Sequence, residues 1–125
     1  MKLFVYGTLR KGFNNNIYLS SSEFLGNATT KEGYTLACDG IPYMLQVQTD
    51  DSYVYGEVYE VSANSLEAID LLEGNGYAYT RTPITVTMNG EDVQVETYLW
   101  LHKNKDGLPK YSDYSQYRTE RAYGF

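Results

Sequence analysis

Apolar and polar residues alternate with different periods along this chain, and each period predicts an element. Leu3-Phe4-Val5 is a short continuous apolar run that meets Gly7. It predicts a buried strand ending in a tight loop. From Tyr53 to Val61 the period is two. Tyr53, Tyr55, Glu57, Tyr59 and Val61 share one face, and Val54, Gly56, Val58 and Glu60 share the other. Gly56 within that strand predicts a bulge or a close backbone approach. Ile84, Val86 and Met88 alternate with threonines, and Val93 and Val95 alternate after Asn89-Gly90. Asn-Gly between alternating runs predicts a hairpin with a two-residue loop. That loop pairs Met88 with Glu91, Val86 with Val93 and Ile84 with Val95, so the apolar residues meet on one face. Pro83 must then lie where the ladder needs no N–H. The return strand runs on through Tyr98-Leu99-Trp100-Leu101.

Between these strands the period becomes helical. Asn64 is expected to cap a helix, with Glu67 three residues on as in a capping box. Leu66, Ile69, Asp70 and Glu73 fall at i, i+3, i+4 and i+7. In projection Glu73 lies between Leu66 and Ile69, on the inward face. Gly74 predicts the helix end.

Shorter pieces complete the pattern. Asn14-Asn15-Asn16 is expected to cap a helical turn or two holding Ile17-Tyr18-Leu19, ended by Ser20-Ser21-Ser22. Phe24-Leu25 and Tyr34-Thr35-Leu36-Ala37 are strand-like, broken by Gly26 and Gly33. Asp39-Gly40-Ile41-Pro42 reads as a turn, Tyr43 to Gln48 as a strand, and Thr49-Asp50-Asp51-Ser52 as the next turn. Asp106-Gly107-Leu108-Pro109 is a further turn. Asp113 is expected to cap a last helical piece with Tyr114, Tyr117 and Arg118, and Arg121 to Phe125 either frays or lies over the core. No repeat or linker interrupts the chain, so residues 1–125 are read as one domain.

Composition narrows the function classes. With 125 residues and 42% apolar content the chain is expected to be globular. A net charge of −6 argues against nucleic acid, and Arg10-Lys11 is too short to reverse that. The start of the chain shows no apolar signal-peptide core, and no apolar stretch approaches the roughly 20 residues of a membrane span. A soluble, cytoplasmic protein is expected, with no membrane partner.

The candidate chemistry follows from scarcity. Cys38 and His102 are the single cysteine and histidine. A zinc site of the usual His/Cys kind is therefore not expected, and no metal or cofactor is assigned. Cys38 reads as a small buried hydrophobe. His102 lies in a stretch with the composition of an exposed turn. Proton chemistry then falls to a carboxylate or a tyrosine. Glu73 stands out: burial on the inward face and the nearby helix C-terminus both push its pKa upward. The competing reading is a helix-end glutamate that swings out to water. The fourteen tyrosines suit an amphipathic core or pocket lining. The loop after the first strand, Gly7 to Gly12, has the two-glycine spacing of a P-loop. However, Phe13-Asn14 replaces the Lys-Ser/Thr that phosphate and magnesium need. What remains is a loop whose N–H groups can form an anion-binding nest, or an ordinary turn.

The ordered motifs resemble a known family. Tyr6-Gly7-Thr8-Leu9, followed by Arg10-Lys11-Gly12 and Asn15, is similar to the signature of the gamma-glutamyl cyclotransferase-like superfamily. Gly40-Ile41-Pro42, Gly56-Glu57-Val58-Tyr59, Ile69-Asp70-Leu71-Leu72-Glu73-Gly74 and Tyr79-x-Arg81 resemble its later motifs in order. The resemblance covers essentially the whole chain and is strongest to gamma-glutamylamine cyclotransferases and their bacterial relatives. It departs at Asn16, where several relatives carry His, and at Ser112-Asp113-Tyr114, where many bacterial members have Gly-Asp-Trp. These departures bear on leaving-group preference.

The resemblance implies an α+β fold, a small mixed β-barrel with a few flanking helices. It implies release of 5-oxoproline and a free amine from a small-molecule gamma-glutamyl substrate, without a cofactor. Glu73 is the position that matches the catalytic acid–base. Tyr6, Gly7, Thr8 and Leu9 match the loop that grips the glutamyl head, and Tyr79 and Tyr98 match pocket residues, although packing is the competing role for both tyrosines. Arg81 matches either an ion pair or a substrate contact. Two other readings stand beside the enzyme: a non-catalytic binding module on the same fold, and an interaction protein that uses an exposed tyrosine-rich tail.

Overall fold

The structure, a computed structural model, describes residues 1–31, 33–48 and 51–122. Five strands close a barrel: β1 (Lys2–Val5), β2 (Glu23–Thr30), β5 (Tyr55–Glu60), β6 (Tyr79–Met88) and β7 (Glu91–Trp100). Their order is β1-β5-β2-β6-β7, and the ring closes where β7 meets β1 in parallel, Leu3 opposite Glu96. The other neighbours run antiparallel. A second sheet lies beside the barrel, with β3 (Tyr34–Asp39) between β4 (Ile41–Gln46) and the short β8 (Lys110–Tyr111). A 3₁₀ helix (Asn14–Leu19), α1 (Ala63–Glu73) and α2 (Tyr114–Ala122) complete the fold. The expected mixed barrel with flanking helices is the observed architecture.

The continuous apolar run of β1 has a direct cause: both of its faces are buried. Phe4 packs inside with Val58, Val86, Val95 and Leu99. Leu3 and Val5 pack outward with Tyr59, Val61 and Ile69, beneath α1. The two faces of β5 divide in the same way. Gly56 is the expected close approach, since a Cβ there would fall 2.6 Å from the Phe4 ring. The β6–β7 hairpin has the expected register, with Met88 opposite Glu91, Val86 opposite Val93 and Ile84 opposite Val95. Asn89 and Gly90 both take positive φ, 55° and 79°, as the mirror-image turn of a two-residue hairpin requires. Pro83 is tolerated because β2 pairs with β6 only through Val86 and Thr87.

Several expectations need correction. Gly26 does not break its strand; β2 runs unbroken from Glu23 to Thr30 and absorbs the glycine as a bulge between Phe24 and Gly26. The turn at Asp39 to Pro42 is tighter than expected. Only Gly40 lies outside the strands, and Ile41 pairs with Asp39. β4 therefore starts at Ile41 and ends at Gln46. Pro42 fits there because β4 is an edge strand and Cys38, opposite it, donates its N–H to the Pro109 carbonyl instead. β5 starts at Tyr55, not Tyr53. Thr49 and Asp50 of the expected turn, and Tyr123 to Phe125 of the tail, lie outside the described residues.

The caps also move. Ser62, not Asn64, caps α1: its Oγ accepts from the Ser65 N–H at 3.2 Å. The Val61 N–H still pairs with the Met1 carbonyl, so the chain leaves the sheet only at Ser62, and Asn64 is already helical. Phe13 precedes the 3₁₀ helix without a side-chain cap, and the asparagines turn back to the first loop. At the far end Asp113 does cap α2, accepting from the Ser115 N–H at 2.8 Å. Tyr114 and Tyr117 of α2 are buried in the barrel-side core. This contradicts the exposed tyrosine-rich tail, because these rings fill space against Phe13 and Tyr111 rather than waiting for a partner. Among the described residues no helix is long and apolar enough to cross a membrane.

Candidate active site

A cavity of about 380 Å³ opens between the end of β1, the end of α1 and the start of β4. That volume falls in the range of small-molecule sites. Its lining includes Glu73, Tyr6, Gly7, Thr8, Leu9, Tyr79 and Tyr98, the residues proposed for acid–base work and substrate binding, but not Arg81. Phe4, Val5, Asn15, Ile41, Pro42, Leu71, Leu72, Gly74 and Ala78 complete it.

One wall is the loop that follows β1, and the rest of the chain holds its carbonyls. The Gly7 carbonyl accepts from the Arg10 N–H at 3.0 Å, the Thr8 carbonyl from the Asn15 N–H at 3.1 Å, and the Leu9 carbonyl from Asn16 Nδ2 at 2.8 Å. Asn15 Nδ2 also donates to Thr8 Oγ1. The N–H groups of Gly7, Thr8 and Leu9 have no partner among the described residues. The loop thus consumes its acceptors internally and leaves its donors at a cavity wall. Donors in this state suit an anionic or negatively polarised oxygen. Gly7 is needed for shape: a Cβ there would fall 2.7 Å from Pro42 Cγ.

A buried carboxylate supports this loop from behind. Glu57 is only 6% exposed. It accepts from the Lys11 N–H and from the Tyr59 hydroxyl, each at 3.0 Å, and Arg10 Nε approaches to 4.0 Å. Arg10 continues to Asp113 at 2.8 Å and so ties the loop to the cap of α2. Burial alone would raise the Asp113 pKa, but Arg10 and the Ser115 N–H outweigh it and hold the carboxyl below its ordinary value. The supporting roles of Glu57, Asn15 and Asn16 were not foreseen. The available signal was Glu57 itself, a carboxylate on the same face as Tyr59 in the strand expected over Tyr53 to Val61.

The opposite wall is the last turn of α1. Glu73 is its final residue, and Gly74 closes the helix at φ 63°. The inward face is the expected one, with Ile69 fully buried and Asp70 and Glu73 beside it. Arg81 fixes this turn to the barrel. Its Nε donates to Asp70 Oδ1 at 3.0 Å and its Nη1 to Glu96 at 2.7 Å, while its backbone N–H donates to Asn75 Oδ1. Arg81 is therefore an ion-pair residue and does not line the cavity. No described residue hydrogen-bonds the Glu73 carboxyl. Burial pushes its pKa up to about 7, because an unpaired carboxylate out of water favours its neutral form.

The three tyrosines have different work. Tyr6 donates its hydroxyl to the Tyr98 carbonyl at 2.6 Å, Tyr79 to the Pro42 carbonyl at 2.7 Å, and Tyr98 to Asp70 at 2.5 Å. Burial, above all, pushes all three pKa values well up. They stay neutral, with their protons committed, and their rings wall the cavity while their hydroxyls pin the loop, β4 and α1 to one another. His102 is exposed, near the Tyr77 carbonyl and the Trp100 ring, and takes no part. Cys38 is buried, and burial raises its thiol to about 12. Among the described residues no cluster of His, Cys, Asp or Glu could hold a metal ion.

The likeness to known proteins agrees with this geometry. Residues 3–118 match the family described as Gamma-glutamyl cyclotransferase, AIG2-like. A putative gamma-glutamylcyclotransferase of Methanocaldococcus jannaschii is 38% identical, over 93% of this chain and 97% of its own. Gamma-glutamylaminecyclotransferase A of Danio rerio is 33% identical, over 88% of this chain and 75% of its own. The crystal structure of an AIG2-like protein from Mus musculus superposes with a TM-score of 0.81 at 30% identity, covering 90% of this chain and 86% of that one. The chain belongs to the gamma-glutamyl cyclotransferase, AIG2-like family, and is a cyclotransferase enzyme.

Proposed function

We propose that the enzyme releases 5-oxoproline and a free amine from a gamma-glutamyl amine, with Glu73 as the single acid–base group. The observation that carries this reading is the pairing across one cavity of an unpartnered carboxyl, lifted to about 7, with the free N–H groups of Gly7, Thr8 and Leu9.

The substrate supplies its own nucleophile. Its α-amine, once neutral, attacks the γ-carbonyl carbon, and a new C–N bond closes a five-membered ring. The carbonyl oxygen gains negative charge beside the loop donors, which need no rearrangement to receive it. The attacking nitrogen becomes positive and gives a proton to the Glu73 carboxylate. Glu73 then passes that proton to the departing nitrogen, the old C–N bond breaks, and lactam and amine leave. A carboxyl with a pKa near neutrality suits both transfers. The tyrosines cannot replace it, since their hydroxyls are committed and their pKa values lie too high. Ring closure is intramolecular, so a rigid cavity that holds the glutamyl chain folded supplies much of the rate.

The test is incubation with a series of gamma-glutamyl amides, reading 5-oxoproline by mass spectrometry. Stoichiometric 5-oxoproline and amine are expected. Formation of free glutamate instead of 5-oxoproline would contradict the ring-closing route.

A further inference from the structure

The cavity mouth carries apolar side chains that the fold does not need. Leu71 is 80% exposed, Leu72 38% and Ile41 45%. The inward face of α1 is formed by Leu66, Ile69, Asp70 and Glu73, so the two leucines are not core residues. Yet both line the cavity, together with Ile41 at the start of β4. Leucines left in water beside a concave site form a surface for an apolar ligand group.

The charges are equally selective. Among the described residues Glu73 is the one carboxyl in the lining, and no lysine, arginine or histidine lines it. The nearby cations are engaged elsewhere: Arg10 with Asp113, Arg81 between Asp70 and Glu96, and Lys105 over the rings of Tyr43 and Trp100. A carboxylate on the departing amine would enter beside Glu73 with no counter-charge, in a chain of net charge −6. An ammonium there would face the side chains of Leu71, Leu72 and Ile41 with no carboxylate of its own, because Glu73 serves the reacting nitrogens.

We infer that the departing amine carries a neutral, apolar substituent seated on Ile41, Leu71 and Leu72, while the glutamyl head takes the loop donors. This rests on the ring-closing reading above and names the substrate class within it. Leu71, Leu72 and Ile41 are then specificity residues: they set which amine leaves and take no part in proton transfer.

Four substrates separate the possibilities: gamma-glutamyl isopentylamide, its methylamide, gamma-glutamyl-leucine, and gamma-glutamyl cadaverine. The isopentylamide and leucine compounds share an alkyl branch and differ by a carboxylate. kcat/KM for the isopentylamide is expected to exceed each of the others by about tenfold. In Leu71→Lys, an exposed position where folding should be untouched, the leucine compound should gain about threefold and the isopentylamide should fall. An equal or reversed ranking in the wild type, with 5-oxoproline still formed, overturns the apolar subsite and leaves the ring-closing reading intact. An unchanged ratio of kcat/KM between the isopentylamide and the leucine compound in Leu71→Lys overturns the assignment to this helix end, whether or not the variant self-associates differently. No 5-oxoproline from any of the four overturns both.

Discussion

Two glutamates stand at this cavity, Glu73 lining it and Glu57 behind the loop, and their surroundings are opposite. Glu57 is more deeply buried, yet a backbone N–H and a tyrosine hydroxyl bond it and a guanidinium stands near. Glu73 is less buried and has no hydrogen-bond partner among the described residues, so burial lifts it to about 7. A partnered carboxylate organises the chain around it. An unpartnered one holds its proton closer to neutral pH, as the proposed proton carrier must, at a cost in stability once ionised.

The sharpest break in the comparison is Glu73→Gln. It should lower kcat by about 10²–10⁴-fold, the usual worth of a positioned acid–base group, in a steady-state 5-oxoproline assay. The same variant should be more stable than the wild type. In the folded protein the Glu73 pKa lies above its ordinary value, so the native state binds this proton more tightly than the unfolded chain does. The group's favourable contribution is complete below about pH 4.5 and is lost as pH rises to about 7. At 1.36 kcal/mol per pKa unit the difference above pH 7 is up to about 3 kcal/mol. Urea denaturation of Glu73→Gln and wild type at pH 8 and at pH 4 should show that gap at the first and none at the second.

Glu57→Leu should do the reverse. It strands the Lys11 N–H and the Tyr59 hydroxyl, leaves Arg10 with Asp113 alone, and should cost about 3–5 kcal/mol in urea denaturation, with a rise in KM as the donor loop loosens. Next comes Arg81→Gln. Its ion pairs are partly exposed, so the stability loss should be about 1 kcal/mol. Asp70 lies one turn before Glu73, however, and kcat should fall by up to about tenfold as the helix end loses its anchor. The smallest effect belongs to Ser62→Ala, at the other end of α1. It should cost about 1 kcal/mol by thermal denaturation and leave kcat unchanged.

The same contrast explains what could be read without coordinates. The hairpin register was legible because Asn89-Gly90 fixes the loop and alternation fixes the faces. The inward position of Glu73 was legible because helical spacing alone projects it between Leu66 and Ile69. The caps were not, because the start of α1 is decided by where Val61 stops pairing with Met1, a contact between distant parts of the chain. Asn14 to Asn16 carried the composition of a cap, and instead Asn15 and Asn16 hold the loop carbonyls, for the same reason. The bulge at Gly26 depends on pairing with β5, a partner that local sequence does not name. The motifs of the family named residues that line one cavity, but the contrast between Glu57 and Glu73 needed the partners of each.

The most direct test is the titration of Glu73 itself, followed by carbon NMR of its labelled side-chain carboxyl, with Glu73→Gln to assign the resonance. The account predicts a midpoint near 7, moved by a bound gamma-glutamyl ligand. A midpoint near 4.5, unmoved by ligand, would place that carboxyl in water and contradict its role.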